Sequence, residues 1–149
     1  MVINSLYAFI STLGICILFN IREKYLFFTA LGGSMTWFFY LFTTAHSNSN
    51  IFAYFIASVI AGIYSETMAR VLKTPVTTFV ICAIIPLVPG GGMYYTMLET
   101  IHGNITKALS LCLQTLIIAG AIAVGVILVS SLTKLIFVKS NKKLPAYLK

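Results

Sequence analysis

The stretch 84–95 combines groups that are rare inside an apolar segment: two prolines, three consecutive glycines and two tyrosines. Pro86 and Pro89 have no amide hydrogen, so in a helix each would leave the carbonyl four residues earlier without a donor. The glycines give a backbone that can turn and that a ligand can approach closely. Within hydrocarbon, such backbone is tolerated only where protein or a wet cavity surrounds it. The stretch therefore predicts a binding site, and the alternative is a proline kink that only shapes packing.

The lengths on either side predict a helix that breaks near the centre of a membrane. Residues 75–85 and 91–101 number 11 each, about 16 Å of helix and roughly half of a bilayer. Pro75 suits the first helical position, with Thr74 as its N-cap. The second half would begin with free amides, which favour carboxylates, and secondary transporters bind substrates at such breaks. The predicted substrate-binding residues are Pro86, Pro89, Gly90, Gly91, Gly92 and Tyr94.

Glu66 is the acidic residue with a candidate function. It lies 15 residues after Ile51, about 22 Å along the third apolar segment. Arg70 follows at i+4, which is the favourable order for an ion pair on a helix. Two interpretations remain open. The pair is either an interfacial ion pair that reaches water, or a coupling or gating site for protons, since intramembrane acids usually face a cavity.

The other acidic and histidine side chains are expected to be solvated. Glu23 lies between two cations in a polar loop, and Glu99 lies beyond the glycines near the predicted outer face. His46 and His102 have no second ligand at useful spacing, so no metal and no cofactor are expected. The triple glycine is not followed by Lys-Ser/Thr, which excludes a phosphate-binding loop. The sequence shows no nucleophile–base pair and no carboxylate pair of the kind that would indicate an enzyme.

Composition places these residues in a membrane. The 149-residue chain is 59% apolar and 9% charged, whereas soluble domains average about 25% charged residues. So few charges cannot cover a water-facing surface, which excludes a soluble globular domain. The high hydrophobicity excludes disorder. The net charge of +7 therefore indicates membrane topology and not a nucleic-acid partner.

Five apolar stretches approach the 20 or so residues that a membrane helix needs. They are residues 2–20, 25–45, 51–68, 75–98 and 108–138. The prediction is an all-α polytopic membrane protein with a single integral domain, 1–149, a broken fourth helix, and a basic cytoplasmic tail at 139–149. The first stretch has no basic segment before it and no small-residue cleavage site, so it is expected to be a retained span and not a signal peptide.

Basic residues set the predicted orientation. With the N-terminus outside, the cytoplasmic loops and the C-terminus contain nine cations, whereas the outer side contains only Lys107. This bias predicts a cytoplasmic C-terminus.

Small residues recur at the spacing that helix packing needs, for example Ser58 with Gly62 and Ala121 with Gly125. Such pairs let helix backbones approach closely, so bundle packing is their expected role. The polar side chains of Gln114, Thr115, Thr77 and Thr78 are candidates for lining a path. The isolated cysteines, which are expected to pack as small apolar groups, are Cys16, Cys82 and Cys112.

The run Ala83-Ile-Ile-Pro-Leu-Val-Pro-Gly-Gly-Gly-Met-Tyr94 resembles the signature of the threonine/serine exporter family. The resemblance is to the small membrane subunit, a type also found in bacterial succinate exporters, and it extends along nearly the whole chain. Three further segments resemble the family: Leu18-Phe-Asn-Ile-Arg22, Ala30-Leu-Gly-Gly33 with Trp37 and Tyr40, and Ser65-Glu-Thr-Met-Ala-Arg70 followed by Lys73-Thr-Pro75.

The resemblance implies the small subunit of a two-component secondary exporter in the bacterial cytoplasmic (inner) membrane. Its small-molecule substrate would be a carboxylate-bearing metabolite of the threonine/serine or succinate class. Its partner would be a larger subunit with its own membrane spans and a cytoplasmic domain, which gives a hetero-oligomer and leaves a higher oligomer open. The alternative is a membrane scaffold or assembly subunit without its own transport path.

Overall fold

The structure, a computed structural model, describes residues 1–47 and 49–141, with side chains through residue 135. This part of the chain consists of helices, which confirms the predicted all-α class. The helices are α1 (Val2–Leu18), α2 (Glu23–His46), α3 (Asn50–Val71), α4 (Val76–Ile84), α5 (Gly90–Ile101) and α6 (Ile105–Asn141), with a 3₁₀ turn (Ile85–Leu87) between α4 and α5.

Three of the described helices, α2, α3 and α6, are long and apolar enough to cross a membrane. The pair α4–α5 adds a fourth span if it is counted as one. Helix α1 is apolar but has 17 residues, fewer than those three. The five-span count and the orientation therefore stay predictions.

The predicted break in the fourth segment is confirmed. The segment Val76–Leu87 and helix α5 are bent by 53° relative to each other. Pro89 was expected to leave the Ile85 carbonyl without a hydrogen-bond donor. That expectation is wrong, because in the 3₁₀ turn the Val88 amide donates to the Ile85 carbonyl at 3.1 Å. The predicted cap is also wrong by one residue. The N-cap of α4 is Pro75, which has an extended ψ of 137°, and not Thr74.

The interior of the bundle is built from small side chains. Ala30, Ala53 and Ala57 are fully buried, whereas Leu18 and Ile101 are 85% and 80% exposed. This is the reverse of a soluble protein, in which large apolar side chains form the core. Small residues let helices approach closely while the large apolar groups face lipid. The structure is therefore that of a multi-pass membrane protein.

Helices α3 and α6 make the most extensive contact between helices in the described part of the chain. Gly125 of α6 lies against Ser58 and the Phe55 carbonyl of α3. A Cβ on Gly62 of α3 would lie 3.0 Å from the Cβ of Val129. The predicted packing role of the small residues Gly62 and Gly125 is thus confirmed.

Helix α6 has 37 residues, about 55 Å of helix. This exceeds the roughly 30 Å of hydrocarbon in a bilayer, so part of α6 projects beyond the membrane or the helix is tilted. The predicted basic tail at 139–149 begins within α6, and residues 142–149 lie outside the described residues.

Candidate functional site

The break between α4 and α5 opens onto a cavity of about 290 Å³, called the break cavity below. Its lining comes from four helices and from the break itself. The lining residues are Trp37, Tyr54, Pro86, Val88, Pro89, Gly90, Gly91, Gly92, Leu111, Gln114, Thr115 and Ile118. Five of the six residues that the sequence predicts as substrate-binding thus lie together. The sixth, Tyr94, is not in the lining, and it is 62% exposed on α5.

The three glycines of the break have different surroundings. A Cβ on Gly90 or Gly91 would meet no atom within 4 Å, so their backbone faces open space. A Cβ on Gly92 would collide with the Thr115 hydroxyl of α6. That hydroxyl donates to the Leu111 carbonyl at 2.7 Å, which fixes its position. Gly90 and Gly91 therefore leave room for a ligand, whereas Gly92 lets α5 pack on α6.

Helix α5 begins at this cavity. Pro89 is its N-cap and makes no side-chain cap hydrogen bond, so the amides of the first turn have no side-chain acceptor. The N-terminal end of a helix has a partial positive charge and favours anions. The lining of the break cavity contains no acidic side chain, so none of its groups would repel a carboxylate.

Two aromatic residues, Trp37 of α2 and Tyr54 of α3, form a wall of the break cavity. The ring of Tyr40 contacts both of these rings but does not line the cavity. Its ring centroid lies 5.0 Å from that of Trp37 and 4.5 Å from that of Tyr54. The three rings pack against a small core that contains Ala57 and Leu87. Sequence reasoning missed this wall because it could not show which face of each helix the aromatics occupy.

A second cavity of about 370 Å³ lies toward α1. Trp37 and Pro86 line it together with polar groups of α1, Asn4, Tyr7 and Ser11. Because Trp37 and Pro86 line both cavities, the two cavities adjoin at these residues.

Glu66 and Arg70 form the ion pair that their spacing predicts. The Arg70 Nη2 atom donates to Glu66 Oε2 at 3.0 Å. The Glu66 side chain is 12% exposed and that of Arg70 is 37% exposed. The pair lies at a separate cavity of about 320 Å³, with Val129 and Thr133 of α6 opposite. It is therefore not part of the break cavity.

Glu99 is not solvated, contrary to the expectation from the sequence. The residue is 9% exposed, and its carboxylate accepts hydrogen bonds from Lys107 Nζ at 2.5 Å and Asn104 Nδ2 at 2.8 Å. These bonds span the turn at Gly103, where φ is +77°, and join the end of α5 to the start of α6. The turn places Lys107 opposite a residue eight positions earlier, which a helix-spacing rule does not predict.

The histidines lie at the ends of helices. His46 and His102 are exposed, as expected. Within residues 1–47 and 49–141, no group of three His, Cys, Asp or Glu residues could hold a metal ion.

A comparison with protein-family models finds one described as "Threonine/Serine exporter, ThrE", which matches residues 4–132. No curated protein and no solved structure matches the chain. The matched range runs from α1 into α6 and contains every residue that lines the break cavity. The chain therefore belongs to the threonine/serine exporter family.

Proposed function

We propose that this chain is the small membrane subunit of a two-component secondary exporter, and that it binds a carboxylate-bearing metabolite at the break cavity. Substrates of the threonine/serine or succinate class have the required group. The observation that carries this proposal is the open backbone of Gly90 and Gly91 at an N-terminus without a side-chain cap. The Gly90 amide already donates to the Val88 carbonyl at 2.7 Å, so a carboxylate there would accept hydrogen bonds from the Gly91 and Gly92 amides, without displacing any side chain.

Neighbouring groups would hold the rest of the substrate. Gln114 and Thr115 supply polar contacts on the α6 side, and Trp37 and Tyr54 form the wall opposite. A site with a few polar groups and an aromatic wall is typical of small-molecule binding. Family membership also favours transport over catalysis.

The proposed topology has five spans, with the N-terminus outside and the C-terminus in the cytoplasm of a bacterium. Helix α1 has 17 residues, the lower end of the length range for a membrane helix. Counting α4 and α5 as one broken span gives an odd number, which puts the two termini on opposite sides. The excess of cations in the loop between α1 and α2, in the loop between α3 and α4 and at the C-terminus favours this orientation.

The larger subunit would cover the open side of the break. Tyr94, Tyr95 and Met97 of α5 are 62%, 56% and 70% exposed, so this half-helix has an unpartnered apolar face next to irregular backbone. Irregular backbone within a membrane needs protein or water around it. A partner with its own spans would supply that cover, and substrate efflux that depends on both subunits tests the proposal.

A scaffold or assembly subunit is the second candidate. The close fit of Gly92 against Thr115 favours it, because this part of the motif acts in packing. A scaffold would lose assembly when the break is altered, whereas an exporter would lose efflux first.

Glu66 is the proposed coupling group, since its carboxylate is largely buried beside a cavity. In the assembled exporter, Glu66→Gln keeps the shape of the side chain but cannot ionise. We expect the increase in efflux that an imposed proton gradient produces to fall by about tenfold or more. General acid–base groups typically contribute at least that much to a proton-transfer step. Glu23→Gln, a change at an exposed residue in the first turn of α2, is the control. If efflux by Glu66→Gln responds to the proton gradient as the unchanged protein does, the Glu66–Arg70 ion pair has a structural role only.

A further inference from the structure

A cavity of about 410 Å³ lies where α1 and α3 end and where α2 and α4 begin. It is called the loop cavity below. Its polar lining includes Asn20, Arg22, Lys73, Thr74 and Thr78. None of these residues belongs to the break cavity or to the Glu66 cavity, so the proposed function does not use them.

The two cations of the loop cavity have no carboxylate partner in the described part of the chain. The protein has three acidic residues in all. Glu66 is paired with Arg70 and Glu99 with Lys107, and neither Arg22 nor Lys73 forms an ion pair with the third, Glu23. The lining contains no acidic residue. The loop cavity therefore has two positive charges that form no ion pair in the described part of the chain, and the nearest acidic residue in sequence is Glu23, in the first turn of α2.

Thr74 presents a buried hydroxyl without a partner. Its Oγ1 atom is buried and makes no hydrogen bond. Other hydroxyls in this protein are satisfied by the backbone; Thr12 and Ser65, for example, each donate to the carbonyl four residues earlier at 2.7 Å. A buried polar atom without a partner is destabilising and rare in native proteins. The buried oxygen does not reach the cavity surface, so a ligand with an acceptor atom would satisfy this hydroxyl once the Thr74 side chain turns toward the loop cavity.

The backbone at Asn20 and Lys73 closes the two helix ends that border the loop cavity. Asn20 and Lys73 have φ values of +54° and +51°, at positions after a helix where glycine is usual. Asparagine adopts this conformation readily, but lysine does so rarely. Amides satisfy the ends of the preceding helices: Ile21 donates to Cys16 at 3.1 Å and Thr74 donates to Ala69 at 2.9 Å.

Both helices that begin at the loop cavity do so without a side-chain cap. Arg22 is the N-cap of α2 and Pro75 is the N-cap of α4, and neither makes a side-chain cap hydrogen bond. First-turn amides without such an acceptor attract anions. The carbonyl ends of α1 and α3 are capped by backbone amides, and the side chains that line the loop cavity are basic or uncharged.

From this geometry we infer that the loop cavity binds an oxyanion, the phosphate or carboxylate group of a small ligand, between Arg22, Lys73 and Thr74. Two kinds of ligand have such a group: an anionic lipid, in its headgroup, and a soluble metabolite. Basic pockets between membrane helices on the cytoplasmic side bind anionic headgroups. The inference does not depend on export, because it concerns a cavity that is separate from the break.

Thermal unfolding of the full chain in a neutral detergent tests this inference. The probes are phosphatidylglycerol against phosphatidylcholine, and sodium phosphate or sodium succinate against sodium chloride at equal ionic strength. At a saturating probe concentration we expect the midpoint of unfolding to rise by about 3 °C or more. A rise with phosphatidylglycerol alone assigns the site to lipid. A rise with phosphate or succinate that Arg22→Gln/Lys73→Gln loses assigns it to a soluble anion, because succinate bound at the break cavity would still raise the midpoint in that variant.

Variants of the lining residues distinguish binding at the loop cavity from general charge screening. In Arg22→Gln/Lys73→Gln the rise should fall at least threefold. Lys24→Gln, in the first turn of α2 and outside the lining, should keep it. Thr74→Val should raise the unfolding midpoint without any probe, because it removes the unsatisfied hydroxyl, and should weaken the effect of the probe. An equal rise with chloride, no rise with any probe, or an undiminished rise in the double variant and in Thr74→Val would overturn the inference.

Discussion

Gly91→Leu is expected to lower efflux by about tenfold or more while leaving the amount and assembly of the protein intact. A Cβ at this position meets no atom within 4 Å, so a leucine side chain can leave the backbone without a collision but occupies the space where a carboxylate would approach. Each charge-assisted hydrogen bond that is lost is worth about 1.5–3 kcal/mol, so efflux should fall by about 10-fold to 100-fold. The measurement is efflux of labelled threonine, serine and succinate from cells that also express the larger subunit, with the amount of complex determined in the same membranes.

The neighbouring glycine provides the matched control. Gly92→Ala should destabilise the contact between α5 and α6, by about 1–3 kcal/mol as is usual for overpacking, because its methyl group would collide with Thr115. Thr115→Ala removes that hydroxyl and should rescue Gly92→Ala, but it should not rescue Gly91→Leu. Loss of assembly in Gly91→Leu, with no efflux defect beyond it, would favour the scaffold.

Gly125→Leu is expected to prevent stable folding of the bundle. A Cβ at Gly125 would meet the Ser58 hydroxyl and lie 3.1 Å from the Phe55 carbonyl oxygen. Because the carbonyl belongs to the backbone of α3, it cannot move aside as a flexible side chain can. The destabilisation should reach about 3 kcal/mol or more, the upper end of overpacking, since it forces apart the most extensive contact between helices. Thermal unfolding followed by the fluorescence of Trp37 measures the effect.

Gly120 lies on the same helix and provides the comparison. A Cβ there meets nothing within 4 Å, so Gly120→Leu removes a glycine from a helix interior without a collision. Its stability should stay unchanged or rise by about 0.5–1 kcal/mol. Equal destabilisation by the two leucines would contradict the packing of α3 against α6 described above.

The sequence predicted the features that depend on local backbone chemistry. Proline and glycine act on their own chain segment, so the break after Leu87 and the gathering of Gly90 and Gly91 at one cavity could be predicted from the residue types. The ion pair of Glu66 with Arg70 likewise follows from the spacing of residues along a helix.

The features that the sequence did not predict depend on how elements are turned toward one another. The aromatic wall of Trp37 and Tyr54 depends on the rotation of α2 and α3 about their axes. The partners of Glu99 depend on the turn between α5 and α6. Thr74 was expected to cap α4, but Pro75 took that position, and the hydroxyl of Thr74 stayed without a partner.

Efflux from proteoliposomes that contain this chain together with the larger subunit tests the central claim most directly. The vesicles are loaded with labelled threonine, serine or succinate, and the label that leaves is followed with time after a proton gradient is imposed. We expect one of these substrates to leave at least tenfold faster with both subunits than with either subunit alone, and we expect Gly91→Leu to remove that difference. Equal rates for all three substrates with the pair, with either subunit alone and with Gly91→Leu would contradict an exporter whose substrate binds at the break.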